Sequence, residues 1–250
     1  MFKIKPIISV LVKPPLRRIR NFIRYIPYAW GNERFCPICR KSSTKFGEAG
    51  LIPRDDAECL WCNSVERHRL VWIYLQRKTK FFDNKHKKML HIAPEMCFEK
   101  LLKQQLGDGY LTADLYDNRA MVKMDVTNIQ YSDNSFDVIY CSHVLEHIVD
   151  DKKAISEFFR VLKKDDWAII NVPITAGKTF EDPTITLPEE RLKFFSQKDH
   201  VRRYGSDYIE RLKEVGFKVT KTVASDFISQ KEIKRVAVTK AAQEILLCTK

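Results

Sequence analysis

An α/β chain built on a doubly wound, mainly parallel sheet is the fold class that this sequence predicts. Two observations carry it. From residue 88 onward, short apolar runs alternate with amphipathic stretches of helical periodicity. Polar residues gather just after the apolar runs, where the ligand edge of such a sheet would lie.

Taken in order, Lys88 to Glu95 reads KMLHIAPE, a short strand MLHIA that runs into a turn with no glycine. FEKLLKQQL has helical spacing, and YLTADL and AMVKM read as the next two strands. FDVIYCS is a buried-strand run, VLEHIVDDKKAISEFFRVLKK reads as helix, and WAIINVPI as another buried strand. DYIERLKEVGF closes a last helix at Gly216, and FKVTKTVA and EILLCTK follow as two strands joined by a charged connection. The segment TAGKTFEDPTITLPEERLKFFSQKDHVRRYG, about 30 residues, is too long for a simple connection and reads as a cover over the ligand edge.

The chain of 250 residues is 44% hydrophobic and 30% charged, enough for one large domain and a small one. We divide it into a basic arm at 1–34, a cysteine-bearing unit with its linking helix at 35–83, and the α/β domain at 84–250. Lys and Arg exceed Asp and Glu by 44 to 32, a net +12 that favours phosphate, nucleic acid or anionic lipid as partners. Much of the excess sits in the arm, where Lys3, Lys5, Lys13, Arg17, Arg18, Arg20, Arg24 and Arg34 face Glu33 alone. Its apolar run PIISVLV is far short of the roughly 20 residues a spanning helix needs, and KPPLRRIR follows in place of a cleavage site. The expected location is therefore cytoplasmic. Residues 1–30 would either make peripheral contact with an anionic membrane on its inner face or pack on the domain behind.

Four of the seven cysteines form Cys36-Pro-Ile-Cys39 and Cys59-Leu-Trp-Cys62, the spacing C-x2-C-x19-C-x2-C. Two such knuckles aim four thiolates at one tetrahedral ion, so the pattern predicts structural Zn2+ on Cys36, Cys39, Cys59 and Cys62. Disulfides or a redox pair are the alternatives, but no export signal is evident and neither pair follows a strand in a βαβ pattern. With every position filled by cysteine, the ion would fold the segment rather than catalyse. Cys97, Cys141 and Cys248 read as small buried hydrophobes. SVERHRLVWIYLQRKTKFF then reads as the helix that joins the two units.

Along the ligand edge, His91, Ala93 and Glu95 follow the first strand and Asp114 ends the second. Asp125 follows the third, and Ser142 and His143 follow the fourth. An acid about 20 residues beyond the first turn suits the hydroxyls of a ribose. Asp at a strand end is also ordinary turn chemistry.

MLHIAPE, YLTADL, VKMDVTNIQYSDNSFDVIYCSHVLEHI and FRVLKKDDWAIINVPI together resemble the class I S-adenosylmethionine-dependent methyltransferases with a type 11 methyltransferase domain. The likeness covers about residues 86–174 and implies a seven-stranded Rossmann-like sheet. With the cysteine ribbon and FSQKDHVRRYGSDYIERL, the chain looks like a zinc-ribbon subgroup of that family. The resemblance implies that Asp114 with Leu115 meets the cofactor ribose and that Asp125 with Val126 borders the adenine. It places His91, Ala93, Pro94 and Glu95 beneath the methionine part, and Cys141, Ser142 and His143 at the wall nearest the sulfonium. Where the family usually has D-x-G-x-G, this chain has His91-Ile92-Ala93-Pro94-Glu95. S-adenosylmethionine carries no pyrophosphate, so the missing glycines tell against a dinucleotide more than against this cofactor. Pro94 suits the first helical position and Glu95 the first turn, with Glu95 taking over the task of meeting the cofactor ammonium.

Methyl transfer from a sulfonium is an in-line displacement that needs alignment, and a base if the acceptor is a hydroxyl. His143 and His200 are the catalytic candidates, with His147 and Asp199 beside them, and Arg202 and Tyr204 are the expected substrate contacts. H-V-L-E-H lacks the H-E-x-x-H order of zinc peptidases, so no second metal is expected. The expected reaction is O-methylation of a small molecule or of a glycan or lipid-linked saccharide. RNA methylation through the ribbon, and a non-catalytic zinc module with a degenerate cofactor site, are the alternatives.

Overall fold

The computed structural model describes residues 25–50, 52–239, 242 and 244–250. Most of the basic arm, residues 1–24, lies outside them, and with it the bulk of the surface-binding reading. The end of the arm makes a 3-10 turn, Ile26–Tyr28, with Tyr25 and Ala29 buried and the Thr44 N–H donating to the Tyr28 carbonyl at 2.9 Å. Among the described residues, no helix is long and apolar enough to cross a membrane.

Two small antiparallel ladders follow. Strand β1 (Arg34–Phe35) pairs with β2 (Ser42–Ser43), and β3 (Gly47–Ala49) with β4 (Arg54–Glu58), each ladder leading into one cysteine knuckle. So few residues cannot bury a core alone. Instead Ile38, Phe46, Cys36 and Cys59 join a cluster with helix α1 (Glu66–Lys78), whose Leu70, Val71, Ile73, Tyr74 and Leu75 are all buried. The ribbon and the sheet thus share one core.

The α/β unit begins with β5 (Met89–Ile92), helix α2 (Met96–Leu106), β6 (Tyr110–Asp114), the short β7 (Val122–Lys123) and β8 (Phe136–Ser142). Helix α3 (Asp151–Val161) starts on Asp150, whose carboxylate accepts the Lys153 N–H at 3.0 Å. Its buried Ala154, Ile155, Phe158 and Val161 are the apolar stripe read from the sequence. Two boundaries differ from expectation. VLEHI is not part of this helix but holds a 3-10 turn, Leu145–His147, and the tail LKK opens strand β9 (Leu162–Asn171). Both ends lie outside the stripe, where periodicity says least.

The covering segment folds as β10 (Ile174–Ala176), β11 (Phe180–Glu181), helix α4 (Pro188–Phe195) and β12 (Arg202–Gly205), with β12 central in a three-stranded sheet. Helix α5 (Tyr208–Val215) ends on Gly216 at φ 116°, and β13 (Lys218–Val223), helix α6 (Gln230–Arg235) and β14 (Glu244–Thr249) complete the chain.

The main sheet has the order β7-β6-β5-β8-β9-β14-β13, with β14 alone antiparallel to its neighbours. It is the expected seven-stranded, mainly parallel sheet. After β7 the chain returns to the other side of β5, so the topological switch point lies between β5 and β8, and their carboxyl ends define the crevice. The alternation of side chains is strict there. Met89, Val138 and Tyr140 face the cluster with α1 and α2, whereas Leu90, Ile92, Ile139 and Cys141 face α3 and α5.

Candidate active site and four-cysteine site

The four cysteine sulfurs lie within 4.8 Å of one another. Cys36 and Cys62 are 3.5 Å apart and Cys39 and Cys59 3.7 Å. An ion with sulfur ligands at about 2.3 Å sets tetrahedral sulfurs about 3.8 Å apart, close to these two separations, so the cluster fits zinc. Buried Ser64 places its hydroxyl 3.2 Å from both Cys36 and Cys62. Hydrogen bonds among the four thiols hold Cys36 below its ordinary value and push Cys39 and Cys59 above theirs, so the cluster favours one thiolate shared among its neighbours when no metal is bound.

One residue ties this ribbon to the rest. Arg69 is fully buried, with Nη1 donating to the Ala57 and Ser64 carbonyls at 3.0 and 2.7 Å. Nε and Nη2 donate to Val236 and Ala237 at 2.6 and 3.0 Å. Its guanidinium also stacks on Phe46 at 4.5 Å. Next to it, Glu66 takes a two-point hydrogen bond from Arg54 at 3.0 Å each.

At the crevice, the turn after β5 places Ala93 at φ +50°, its N–H bonded to the Ala113 carbonyl at 2.9 Å. This left-handed conformation normally falls to glycine and costs another residue about 1–2 kcal/mol. Ala93→Gly is therefore expected to stabilise the fold by about 0.5–1 kcal/mol in urea denaturation; a loss would mean that the methyl group's packing outweighs the strain.

Helix α2 begins later than expected. Glu95 is its N-cap residue and Pro94 precedes it, yet the Glu95 side chain does not cap. It turns inward, with Oε2 2.7 Å from His91 Nε2, Oε1 accepting from the Tyr140 hydroxyl at 3.4 Å, and His68 Nε2 at 3.5 Å. His91, fully buried, is 2.8 Å from the Tyr110 hydroxyl through Nδ1. Burial and the Glu95 carboxylate push the Tyr140 phenol well above its ordinary value, so it stays a donor. Burial, then the charges of Arg67 and Arg69, hold the His68 imidazole well below its own. His91 and Glu95 thus partner each other, and the expected meeting of Glu95 with a cofactor ammonium would have to share this carboxylate with three protein groups.

Asp114 ends β6 half-buried, with Oδ1 accepting the N–H groups of Tyr116 and Asp117 at 2.7 and 2.8 Å. That clamp shapes the turn through Leu115, while Oδ2 accepts no hydrogen bond from a described residue. Asp125 is exposed and closes a turn on Thr127, and Val126 is buried beside it. Cys141 is fully buried in the layer facing α3, and burial raises its thiol well above the ordinary value; Ser142 is buried at the end of β8. His143 follows at φ +58°, about one-third exposed, with Nδ1 3.4 Å from Glu146 Oε1. For S-adenosylmethionine, the fit rests on the bare Asp114 oxygen and the close turn at Ala93; Arg67, whose charge acts on His68 and Tyr140, has a buried Nε that lacks a partner among the described residues.

His147 Nδ1 lies 3.4 Å from Asp199, and its ring packs edge-on against His200 at 4.7 Å. Burial would push the Glu146 carboxyl up, but the His143 hydrogen bond and the His147 charge hold it below its ordinary value. Arg202 and Tyr204, the expected substrate contacts, face inward. Arg202 is 3% exposed, bonding the Leu145 and Val149 carbonyls at 3.0 and 2.7 Å, the Ile148 carbonyl, and Glu181 at 2.8 Å. Tyr204 is fully buried and donates to Asp151 at 2.6 Å. Both brace the loop after β8, because the charge-rich motif that made them conspicuous pairs within the fold. Sequence reasoning passed over Glu146 and Arg67, whose only signals were their places in HVLEH and ERHR.

Residues 88–170 match the family described as Methyltransferase domain (Methyltransf_11). No curated protein matches the chain. Similar solved structures include a methyltransferase from Archaeoglobus fulgidus described as SAM-dependent, at 17% identity and TM-score 0.47, covering 72% of this chain and 93% of that one. An S-adenosylmethionine-dependent methyltransferase from Mesorhizobium loti is similar at 11% identity and TM-score 0.49, covering 72% and 96%. A methyltransferase from Bacillus halodurans, described as putative, is similar at 14% identity and TM-score 0.44, also covering 72% and 96%. Residues 88–170 are thus similar to the methyltransferase domain family, and this segment follows a four-cysteine cluster.

Proposed function

We propose that the protein transfers a methyl group from S-adenosylmethionine to a hydroxyl of a small molecule or glycan, and that the ribbon holds one structural Zn2+. The observation that carries the reading is Asp114: a strand-end carboxylate on β6, beside the switch point, with one oxygen fixed by the turn and the other bare. Such an oxygen suits a ribose hydroxyl. Bound S-adenosylmethionine would supply an electrophilic methyl carbon on a sulfonium, and the chain's task is alignment of the acceptor. His143, held through Nδ1 by Glu146, has Nε2 left to take the proton of an acceptor hydroxyl. His147, Asp199 and His200 wall the same end.

Calorimetric titration with S-adenosylmethionine tests the cofactor assignment. Asp114→Ala is expected to weaken binding about 10-fold or more, since a hydrogen bond to a charged group contributes about 1.5–3 kcal/mol. Equal affinity in the variant would remove Asp114 from the site, and no binding by the unaltered protein would remove the reading itself. Labelled methyl transfer over glycan, lipid, RNA and protein fractions then identifies the acceptor, and label in RNA alone would overturn the glycan or small-molecule assignment.

A further inference from the structure

We propose that Glu146, His147 and His200 form a divalent-cation site at the acceptor end of the crevice. The three come from two places in the chain, the 3-10 turn after β8 and the segment before β12. Their ligand-capable atoms nevertheless lie within 4.8 Å of one another. Glu146 is 2% exposed and its Oε2 has no partner among the described residues; His200 is 6% exposed and its Nε2 has none among them either. A buried polar atom left without a hydrogen bond is destabilising, and two that converge call for a shared occupant.

The surroundings are those of ligands held in place. His200 is bonded through Nδ1 to the Phe195 carbonyl at 3.2 Å, and His147 Nδ1 faces Asp199 at 3.4 Å, leaving Nε2 on each ring as the coordinating nitrogen. The two segments are locked together by the Val201 N–H on the Glu146 carbonyl at 2.9 Å and by the Arg202 bonds to Leu145, Ile148 and Val149. Arg202 is here a positioning residue. Two imidazoles and one carboxylate leave coordination positions open, a donor set that suits Mn2+, Fe2+ or Zn2+.

In chemical use, which rests on the proposed methyl transfer to a hydroxyl, the acceptor oxygen binds an open position. Coordination makes its O–H more acidic, and the proton passes to His143. The oxygen lone pair forms the bond to the methyl carbon, the carbon–sulfur bond breaks, and its electron pair leaves on S-adenosylhomocysteine. The cation undergoes no redox change.

The test is Mn2+ titration of the full chain with its cysteine site loaded with zinc, followed by the electron paramagnetic resonance signal of free Mn2+. Four thiolates favour zinc strongly over Mn2+, so the probe reports on the second site. One Mn2+ per chain is expected, with Glu146→Gln and His200→Gln each weakening binding at least 10-fold at unchanged circular dichroism. A parallel count with Zn2+ should find two ions per chain. Absence of any cation beyond the ribbon's, or equal binding by both variants, would overturn the site. Because S-adenosylmethionine titration needs no added metal, failure of the methyltransferase reading shows there, and failure of the cation site shows here.

Discussion

Cys59→Ser is expected to leave a chain that holds no zinc at the cysteine site and has lost the fold of residues 34–65. Cys59 is fully buried, its sulfur is 3.7 Å from Cys39, and its backbone N–H bonds the Ser64 carbonyl at 2.8 Å. In a site of this kind the metal's binding energy is folding energy, roughly 10–16 kcal/mol in isolated zinc-finger peptides, which matches or exceeds the total stability of an ordinary domain, about 5–15 kcal/mol. The damage should not stop at the ribbon, because Cys36, Cys59, Ile38 and Phe46 share a core with α1 and, through it, with Met89 and Val138 of the sheet. Metal content by mass spectrometry and hydrogen exchange over residues 34–78 measure both effects. Zinc content and protection both equal to those of the unaltered chain would show that Cys59 is not needed to hold the ribbon.

Arg69→Met is expected to cost about 3–5 kcal/mol, the usual loss when one side of a buried charged network is removed. Four carbonyls, those of Ala57, Ser64, Val236 and Ala237, would lose their donor at once. The cysteine cluster and the Glu66 carboxylate would lose a compensating charge; burial lowers the affinity of Arg69 for its proton, and these groups oppose that. For a chain of this size the loss corresponds to a fall of about 10 °C in Tm. Arg69→Lys should fare little better, because an ammonium lacks the planar fork that reaches the ribbon on one side and the C-terminal segment on the other. Thermal melting checks both variants, and a shift below about 2 °C in each would mean that water replaces the guanidinium.

Features that depend on neighbours along the chain were legible in advance. The C-x2-C pairs, the strand FDVIYCS and the end of α5 at Gly216 each rest on spacing or on one residue's conformational freedom, and each lies where expected. Element boundaries were less legible. VLEHI has helical spacing but forms only one 3-10 turn, because Arg202 from β12 takes the carbonyls that a continued helix would have used. Pro94 and Glu95 have the chemistry of a helix start, yet the attraction of Glu95 to His91 and Tyr140 draws it away from capping.

The sequence by itself determined the sheet and the four-cysteine cluster, since periodicity of two or 3.6 and short cysteine spacings are local properties. Only the tertiary structure decided which of the conspicuous polar residues are already satisfied. Arg202 and Tyr204 stand out in DHVRRYG but spend their donors on the loop after β8 and on Asp151, whereas Glu146 and His200 keep atoms that nothing in the described chain meets. A sequence states where the donors and acceptors are. Whether each has a partner depends on which distant segment lies within about 3 Å of it, and that is fixed only when the strands and their connections pack together.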